Sequence, residues 1–314
     1  MAASCASHHN AHDNVKTLSE LMEQYDGDIT RVKDKDTFVS IKQGTDDWKT
    51  LRSMCLITAS EMGAIVGVDK NCSRPQIWKR KVTPGGWVPT SYQQGILDWG
   101  ITHEPICYNI LQTELPKVRR YKSVPVKLVH TGTWILRRNK GDKYVYGCTP
   151  DALLMQNVND AIRVEAVVEI KCPSNLDKAN TIELDLVTGK VRIPLSHFVQ
   201  VQMQMRAVGV TLAYYAVYFP SKLVVISMKS NTAFQEWVMD KMEDFADKYM
   251  AGSLPTIKGD IKWLSSPMNV CPPDFKRGEK KNVETLIEKF MAESDLQLVS
   301  KLDLTSHSPA NLAL

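Results

Sequence analysis

The fold is decided by two short stretches, Gly147-Cys148-Thr149-Pro150-Asp151-Ala152 and Val168-Glu169-Ile170-Lys171-Cys172-Pro173. Each of them ends a run of strand-forming residues, over residues 144–148 and 163–171 respectively. The segment between these runs, residues 156–160, is rich in Asn and Asp and has the composition of a turn. We therefore expect the two strands to form an antiparallel hairpin that brings both stretches to one place.

Three charged side chains fall at the end of this predicted hairpin. Because side chains alternate along a strand, Glu169 and Lys171 share one face, whereas Ile170 points into the core. Burying two carboxylates beside one ammonium group is costly unless a divalent cation lies among them. Mg²⁺ prefers oxygen ligands, which Asp151, Glu169 and the backbone carbonyl of Ile170 can supply. The pattern predicts a metal site suited to phosphodiester hydrolysis, in which Lys171 contacts the cleaved phosphate and the attacking water.

The alternative is a buried ion-pair network of Asp151, Glu169 and Lys171 with a structural role only. An isolated E-x-K tripeptide is common, and on its own it favours this alternative. Two further features favour the metal site: Pro150 and Asp151 stand at the end of the neighbouring strand, and both strands are apolar.

The bulk composition is that of a soluble globular protein. The chain has 314 residues, of which 43% are hydrophobic and 24% charged, and its formal net charge is +4. This mildly basic balance permits a nucleic-acid partner without requiring one. The seven cysteines include no C-x-x-C pair, which argues against a disulfide framework and a zinc site. No apolar run approaches the roughly 18 residues of a membrane span. We expect an intracellular, soluble protein of the cytoplasm or nucleus, with no membrane partner.

The chain divides into three predicted parts. Residues 1–37 are an N-terminal extension, partly flexible, with a short helix over residues 15–25. Residues 38–254 form an α+β body, a central mixed sheet flanked by helices in an α/β/α arrangement. Residues 255–314 comprise a linker, a helix over residues 283–302 and a disordered tail.

Two predicted helices carry further polar candidates. Glu104 lies on the inward-looking stripe of a helix over residues 92–115, although a Glu at a helix edge usually reaches solvent. Gln200 lies on a helix over residues 196–208, where a glutamine usually marks the solvent boundary, and Gln202 faces elsewhere on that helix. A third helix, over residues 232–250, opens with a predicted Thr232 capping box.

At this point the sequence resembles a family. The P-D and E-x-K stretches resemble the signature of the restriction-endonuclease-like, PD-(D/E)xK nucleases, and more specifically its lambda-exonuclease/YqaJ viral recombinase branch. Further motifs of that branch occur in the family's order: residues 43–52 and 57–61 near the start of the body, Trp99-Gly100 with Glu104, and Val199-Gln200-Val201-Gln202.

The resemblance implies a role for each candidate. Asp151 and Glu169 would bind the metals, and Glu104 would add a second-metal or water-mediated ligand. Lys171 would position and activate the nucleophilic water, which Gln200 would help to hold. Mg²⁺ is the implied ion, with Mn²⁺ able to replace it.

Arg52 and Ser60 would form a pocket for a terminal 5′ phosphate. They stand one residue further apart here than in the family pattern, which makes Ser60 the weaker assignment. Three basic clusters, over residues 78–81, 117–122 and 137–140, would contact a DNA backbone, each with a solvated surface as the alternative.

The resemblance further implies an exonuclease that digests linear double-stranded DNA from its ends, 5′→3′, in recombination or repair. It implies a homotrimer and a single-strand-annealing protein as partner. Two alternatives stay open: an endonuclease that cuts internally with the same site, and a catalytically inactive protein that binds DNA ends.

Overall fold

The computed structural model describes residues 38–83, 88–118, 121, 125–136, 145–158, 161–175, 182–184, 191–250 and 270–305. The predicted N-terminal extension with its helix over residues 15–25, the basic cluster over residues 137–140, and residues 306–314 of the predicted tail lie outside these ranges.

The described residues form twelve β-strands and seven α-helices. The strands are β1 (Phe38–Val39), β2 (Ile57–Thr58), β3 (Val126–Val129), β4 (Thr133–Leu136), β5 (Tyr146–Cys148), β6 (Ala152–Val158), β7 (Ala161–Lys171), β8 (Glu183–Leu184), β9 (Val191–Arg192), β10 (Leu212–Phe219), β11 (Lys222–Lys229) and β12 (Gln297–Asp303). The helices are α1 (Asp46–Met54), α2 (Ala59–Ile65), α3 (Arg74–Val82), α4 (Ser91–Glu114), α5 (Leu195–Val208), α6 (Thr232–Phe245) and α7 (Arg277–Glu293).

A six-stranded mixed sheet forms the centre, in the order β12-β11-β10-β7-β6-β3. The two central strands, β7 and β10, pair in parallel, and the other neighbours pair antiparallel. β10 has only apolar and aromatic side chains, and Ala166, Val167, Val168 and Ile170 of β7 are buried, as expected where both faces of a sheet are covered. Val167 and Tyr215 pack beneath α5 and α6, whereas Val168 and Tyr214 belong to a second cluster beneath α4. The predicted α+β class, a mixed sheet between helices, is confirmed.

A second, four-stranded sheet has the strand order β1-β4-β5-β2. Its strand β5 lies parallel to β2, with Gly147 opposite Thr58. A Cβ atom at Gly147 would come within 2.5 Å of the Cys55 sulfur, so this close approach of chain segments requires glycine. The sheet therefore places Thr58, and the start of α2, next to the segment that leads into Asp151.

The predicted partner of β7 was wrong. Residues 146–148 belong to the smaller sheet, and β7 pairs instead with β6, whose Ala152 lies opposite Val168. Pro150 explains the difference, because proline lacks the N–H that would continue a ladder and the chain changes sheets there. The predicted turn composition marks the far end of β6, where Gln156 and Asn157 are still in the strand.

The C-terminal segment also differs from the prediction. The expected helix over residues 283–302 is two elements: α7 begins at Arg277 and ends at Glu293, and β12 then joins the edge of the central sheet against β11. Asp295 adopts a left-handed backbone, φ 49°, at the break, which reverses the chain direction. The domain boundary proposed at residue 254 stays a prediction.

Helix α6 begins at Thr232 as predicted, but its N-cap lies one residue earlier than expected. Asn231, and not Thr232, is its N-cap, and the Asn231 side chain accepts a hydrogen bond from Phe234 N at 3.0 Å. The expected apolar face is present, with Phe234, Val238 and Phe245 buried. Among the helices of the described ranges, none combines the length and apolar composition needed to cross a bilayer.

Candidate active site

One cavity of about 350 Å³ opens where the two sheets meet. All of the residues that the sequence predicted for a site line it: Arg52, Ser60, Glu104, Asp151, Glu169, Ile170, Lys171 and Gln200. They come from five elements and one connecting segment, spread over 149 positions of the chain from the first to the last. The structure therefore brings the predicted set together, while the role of each residue stays a prediction.

Asp151 lies in the three-residue connection between β5 and β6, buried against the end of β7. Its Oδ2 atom accepts the backbone N–H of Ile170 at 2.6 Å. Burial, followed by the negative charges of Glu169 and Glu104, raises the pKa of Asp151 well above its usual range. Lys171 opposes this shift without cancelling it. A cation bound nearby would therefore stabilise the ionised form of the Asp151 carboxyl group.

Glu169 and Lys171 project from β7 towards α5, as the alternation of the strand predicted. Lys171 Nζ donates to Glu169 Oε1 at 2.5 Å and to Gln200 Oε1 at 3.1 Å. Burial alone would lower the pKa of Lys171, but the charges of Glu169 and Asp151 outweigh it and raise the pKa. Lys171 is accordingly an ammonium group at neutral pH.

Glutamines of α5 hold the other side of Glu169. Gln200 Nε2 donates to Glu169 Oε1 at 2.6 Å, and Gln204 Nε2 donates to Glu169 Oε2 at 2.6 Å. The sequence motif pointed to Gln200, with Gln202 facing elsewhere, and gave no role to Gln204. Its spacing of four residues from Gln200, which puts both on one helix face, was the available signal.

Glu104 enters the cavity from α4, on the other side of the central sheet. Burial, and then the charge of Glu169, raises its pKa, with Lys171 acting in the opposite direction. The helix runs unbroken through Pro105. The charges of Glu169 and Lys171 therefore shift the pKa of Glu104, although no described hydrogen bond joins Glu104 to either residue.

The donor set fits a hard divalent cation. The carboxylates of Glu104, Asp151 and Glu169 line the cavity together with Lys171, and burial, followed by their mutual repulsion, raises the pKa values of Asp151 and Glu104. Asp151 and Glu169, with the Ile170 carbonyl, are oxygen donors of the kind that Mg²⁺ prefers. Within the described ranges, no three His, Cys, Asp or Glu side chains are grouped closely enough to hold an ion as they stand. Asp151 and Glu169 are thus the stronger candidates, and Glu104 the weaker one.

Arg52 and Ser60 also line the cavity. Arg52 Nη2 donates to Ser60 Oγ at 3.1 Å, and the guanidinium group lies over the Trp48 ring, 5.2 Å from its centroid. The extra residue between Arg52 and Ser60 does not separate the two side chains. Together they present hydrogen-bond donors to the cavity, as an anion pocket requires.

A partly buried ion pair, Glu61 with Lys81, lies next to Thr58 of this pocket. Glu61 Oε2 accepts hydrogen bonds from Thr58 N at 2.8 Å and Thr58 Oγ1 at 2.9 Å, and Lys81 Nζ lies 3.0 Å from the same oxygen. Burial raises the pKa of Glu61, but Lys81 and the Thr58 N–H outweigh it and lower the pKa overall. Lys81 of the predicted basic cluster is therefore engaged inside the protein, whereas Lys79 is exposed.

Two histidines stand beside motif residues, His103 and His197, and neither lines the cavity. His103 Nδ1 is 2.8 Å from the backbone oxygen of Trp99. His197 Nδ1 is 2.6 Å from the Tyr215 hydroxyl. Burial and the nearby charge of Lys171 lower the pKa of His197 to about 3, so the ring is neutral at physiological pH.

The sequence profile of the YqaJ-like viral recombinase domain matches residues 47–211, more than half of the chain. The chain belongs to this family. The matched range contains every predicted site residue of this YqaJ-like chain, from Arg52 to Gln200, and also Gln204. The family resemblance predicted from the motifs is confirmed.

Further comparisons place the YqaJ-like chain at a distance from known proteins. No curated protein sequence matches it. Among solved structures it is similar to the crystal structure of an alkaline exonuclease, LHK-Exo, from Laribacter hongkongensis, with 16% identity, a TM-score of 0.45, and coverage of 80% of this chain and 100% of that one. The structure of LHK-Exo in complex with dAMP has 15% identity, the same TM-score of 0.45 and the same coverage.

Proposed function

We propose that this protein is a Mg²⁺-dependent exonuclease that digests linear double-stranded DNA from its ends, 5′→3′, in recombination or repair. One observation carries the proposal: a single cavity is lined both by the Asp151, Glu169 and Lys171 cluster and by the Arg52 and Ser60 donors. Membership of the YqaJ-like viral recombinase domain family supports it.

The cation would be held by Asp151, Glu169 and the Ile170 carbonyl. When bound there, Mg²⁺ supplies polarisation of the phosphate and a more acidic water, and Mn²⁺ can replace it. Glu104 is proposed as a further ligand, directly or through water.

Lys171 is the residue that contacts the reacting groups. Because carboxylates keep it protonated, its Nζ donates hydrogen bonds to the cleaved phosphate and to the oxygen of the attacking water. Lys171 thereby positions and activates the nucleophilic water and stabilises the developing charge. Gln200, which contacts Lys171 and Glu169 together, keeps the ammonium group aimed at that point.

Arg52 and Ser60 are proposed to bind the terminal 5′ phosphate. The planar guanidinium group donates in a fork that matches phosphate oxygens, and stacking on Trp48 fixes its orientation. A bound end at this pocket would present the adjoining phosphodiester to the carboxylates. This geometry favours an end-dependent enzyme over one that cuts internally.

The proposal extends to partners by family analogy. A homotrimer and a single-strand-annealing protein that receives the exposed strand are proposed, and light scattering of the purified chain tests the first of these.

A digestion time course tests the proposed activity. The substrates are 5′-phosphorylated linear duplex, 5′-hydroxyl linear duplex and covalently closed circular duplex, each with and without Mg²⁺. We expect nucleotide release only with Mg²⁺, fastest from the phosphorylated ends, and an intact circle. Cleavage of the circle would favour the endonuclease alternative, and Mg²⁺-dependent end binding without product would favour the inactive end-binding protein.

A further inference from the structure

We infer that Gln204 is a positioning residue, which fixes the carboxylate plane of Glu169 for metal binding; this inference rests on the proposed function. Gln204 lies outside the motif residues that the sequence analysis singled out. The one hydrogen bond described for its side chain joins Nε2 to Oε2 of Glu169.

The inference starts from the two-point attachment of Glu169. Oε1 is bound by Gln200 and Lys171, whereas Oε2 is bound by Gln204 at 2.6 Å. A carboxylate held through one oxygen can turn about its last torsion, which is broad for Glu. The second attachment removes that freedom, because Gln200 and Gln204 project from successive turns of one helix. Loss of Gln204 would therefore release the rotation of Glu169 without removing any charge.

The placement of this amide is otherwise unfavourable. Gln204 is fully buried, and its Oε1 atom has no hydrogen-bond partner among the described residues. An unpaired buried acceptor destabilises a protein, and an apolar side chain of similar volume would avoid the problem. The hydrogen bond from Nε2 to a charged carboxylate is the compensating interaction. Gln204 thus contributes to the site rather than to the general packing of α5.

Gln202 provides a matched control. It lies on the same helix two residues earlier and is also fully buried. Its amide faces away from the cavity: Nε2 donates to Lys229 O at 2.9 Å, and Oε1 accepts from Asn231 N at 2.9 Å. Replacing either glutamine removes the same group from the same helix, but only Gln204 touches the catalytic candidates.

The test compares Gln204→Met, Gln204→Asn and Gln202→Met with the unchanged protein. The first readout is Mn²⁺ affinity, measured from the free-ion signal in electron paramagnetic resonance. The second is the rate of nucleotide release as a function of Mg²⁺ concentration. We expect both Gln204 variants to bind Mn²⁺ about ten- to hundredfold more weakly and to need correspondingly more Mg²⁺. Gln202→Met should shift Tm but leave the Mn²⁺ affinity within about twofold, since its loss leaves every ligand contact in place.

The shorter Gln204→Asn variant keeps the amide but cannot reach Glu169, so it remains informative if the methionine variant does not fold. Folded Gln204 variants with unchanged Mn²⁺ affinity and unchanged Mg²⁺ dependence would overturn the inference. An equal loss of Mn²⁺ affinity in Gln202→Met would also overturn it, because the effect would then be one of helix packing. If the unchanged protein binds Mn²⁺ but digests no DNA, the proposed function fails while the Mn²⁺ comparison still decides the role of Gln204.

Discussion

The Oδ2 atom of Asp151 accepts the backbone N–H of Ile170 at 2.6 Å. This bond joins the segment that follows the smaller sheet to the end of β7 in the central sheet. It places Asp151 beside the peptide unit between Glu169 and Lys171, so that groups 18 and 20 positions away along the chain meet at one point. The hydrogen bond depends on the oxygen and not on the charge, which separates the structural and chemical roles of Asp151.

Asp151→Asn should therefore stabilise the metal-free protein while abolishing digestion of DNA. The amide oxygen can still accept from Ile170, but a buried negative charge is removed. Burial and the charge of Glu169 raise the pKa of Asp151 in the folded protein. The contribution of the protonated Asp151 side chain to stability is therefore fully present below the pKa of the unfolded chain, and it is lost as pH rises to the folded pKa. We expect the variant to gain on the order of 1 kcal/mol relative to the unchanged protein above that window.

Thermal unfolding in EDTA across pH 4 to 9 measures this difference, which should grow with pH and then level off. A stability difference that is constant with pH would contradict the assignment. Addition of Mg²⁺ should reverse the order, since the ion binds the folded unchanged protein and stabilises it.

Lys171→Ala should lower the rate of nucleotide release between about a hundredfold and ten-thousandfold, because no other described group donates to the same point. The protein should remain folded in Mg²⁺, where the ion balances the carboxylates that lose their ammonium partner. Lys289→Ala, which removes an exposed cation from α7, is the matched control and should retain activity. If the Lys171 variant digests DNA as fast as the unchanged protein, the proposed function is wrong.

Arg52→Ala should reduce digestion of 5′-phosphorylated ends by about ten- to hundredfold, the loss expected for charge-assisted hydrogen bonds. Digestion of 5′-hydroxyl ends should change little, since those ends offer no phosphate to the pocket. Arg52→Lys keeps the charge but loses the fork geometry and should recover only part of the preference. Equal losses on both kinds of end would show that Arg52 acts on the DNA backbone in general.

Lys81→Met should destabilise the protein by about 2 kcal/mol, because it leaves the partly buried Glu61 without its partner. The pair lowers the pKa of Glu61, so its contribution is present above the pKa of the unfolded chain and is lost as pH falls through the folded pKa. Chemical denaturation at neutral pH measures the loss. Adding Glu61→Gln to the Lys81→Met variant should restore much of the lost stability. If the double variant has the same free energy of unfolding as the single variant, the loss does not come from the unpaired charge of Glu61.

The catalytic candidates could be found from the sequence because their information is local. Alternation along β7 places Glu169 and Lys171 on one face, and Pro150 marks the end of the preceding strand. The meeting of Arg52 with Ser60 was available from the family motif alone. It depends on how α1 and α2 pack, which no periodicity of the chain records.

The missed features depend on tertiary contacts. Residues 297–303 become strand β12 through pairing with β11, since short segments take their conformation from such neighbours. Pro150 was recognised as the end of a strand, but the change of sheets at that residue was not predictable from composition. Gln204 was overlooked because a glutamine in an apolar helix is informative only when the group that it faces is known.

The connection of three residues between β5 and β6 has a mechanical consequence. β5 neighbours Thr58 beside the anion pocket, and β6 neighbours the end of β7 with Glu169. A connection of only three residues leaves little room for the two sheets to move relative to each other. Under the proposed function, the separation between a 5′ end bound near Arg52 and the phosphodiester beside Glu169 would therefore be set by the backbone.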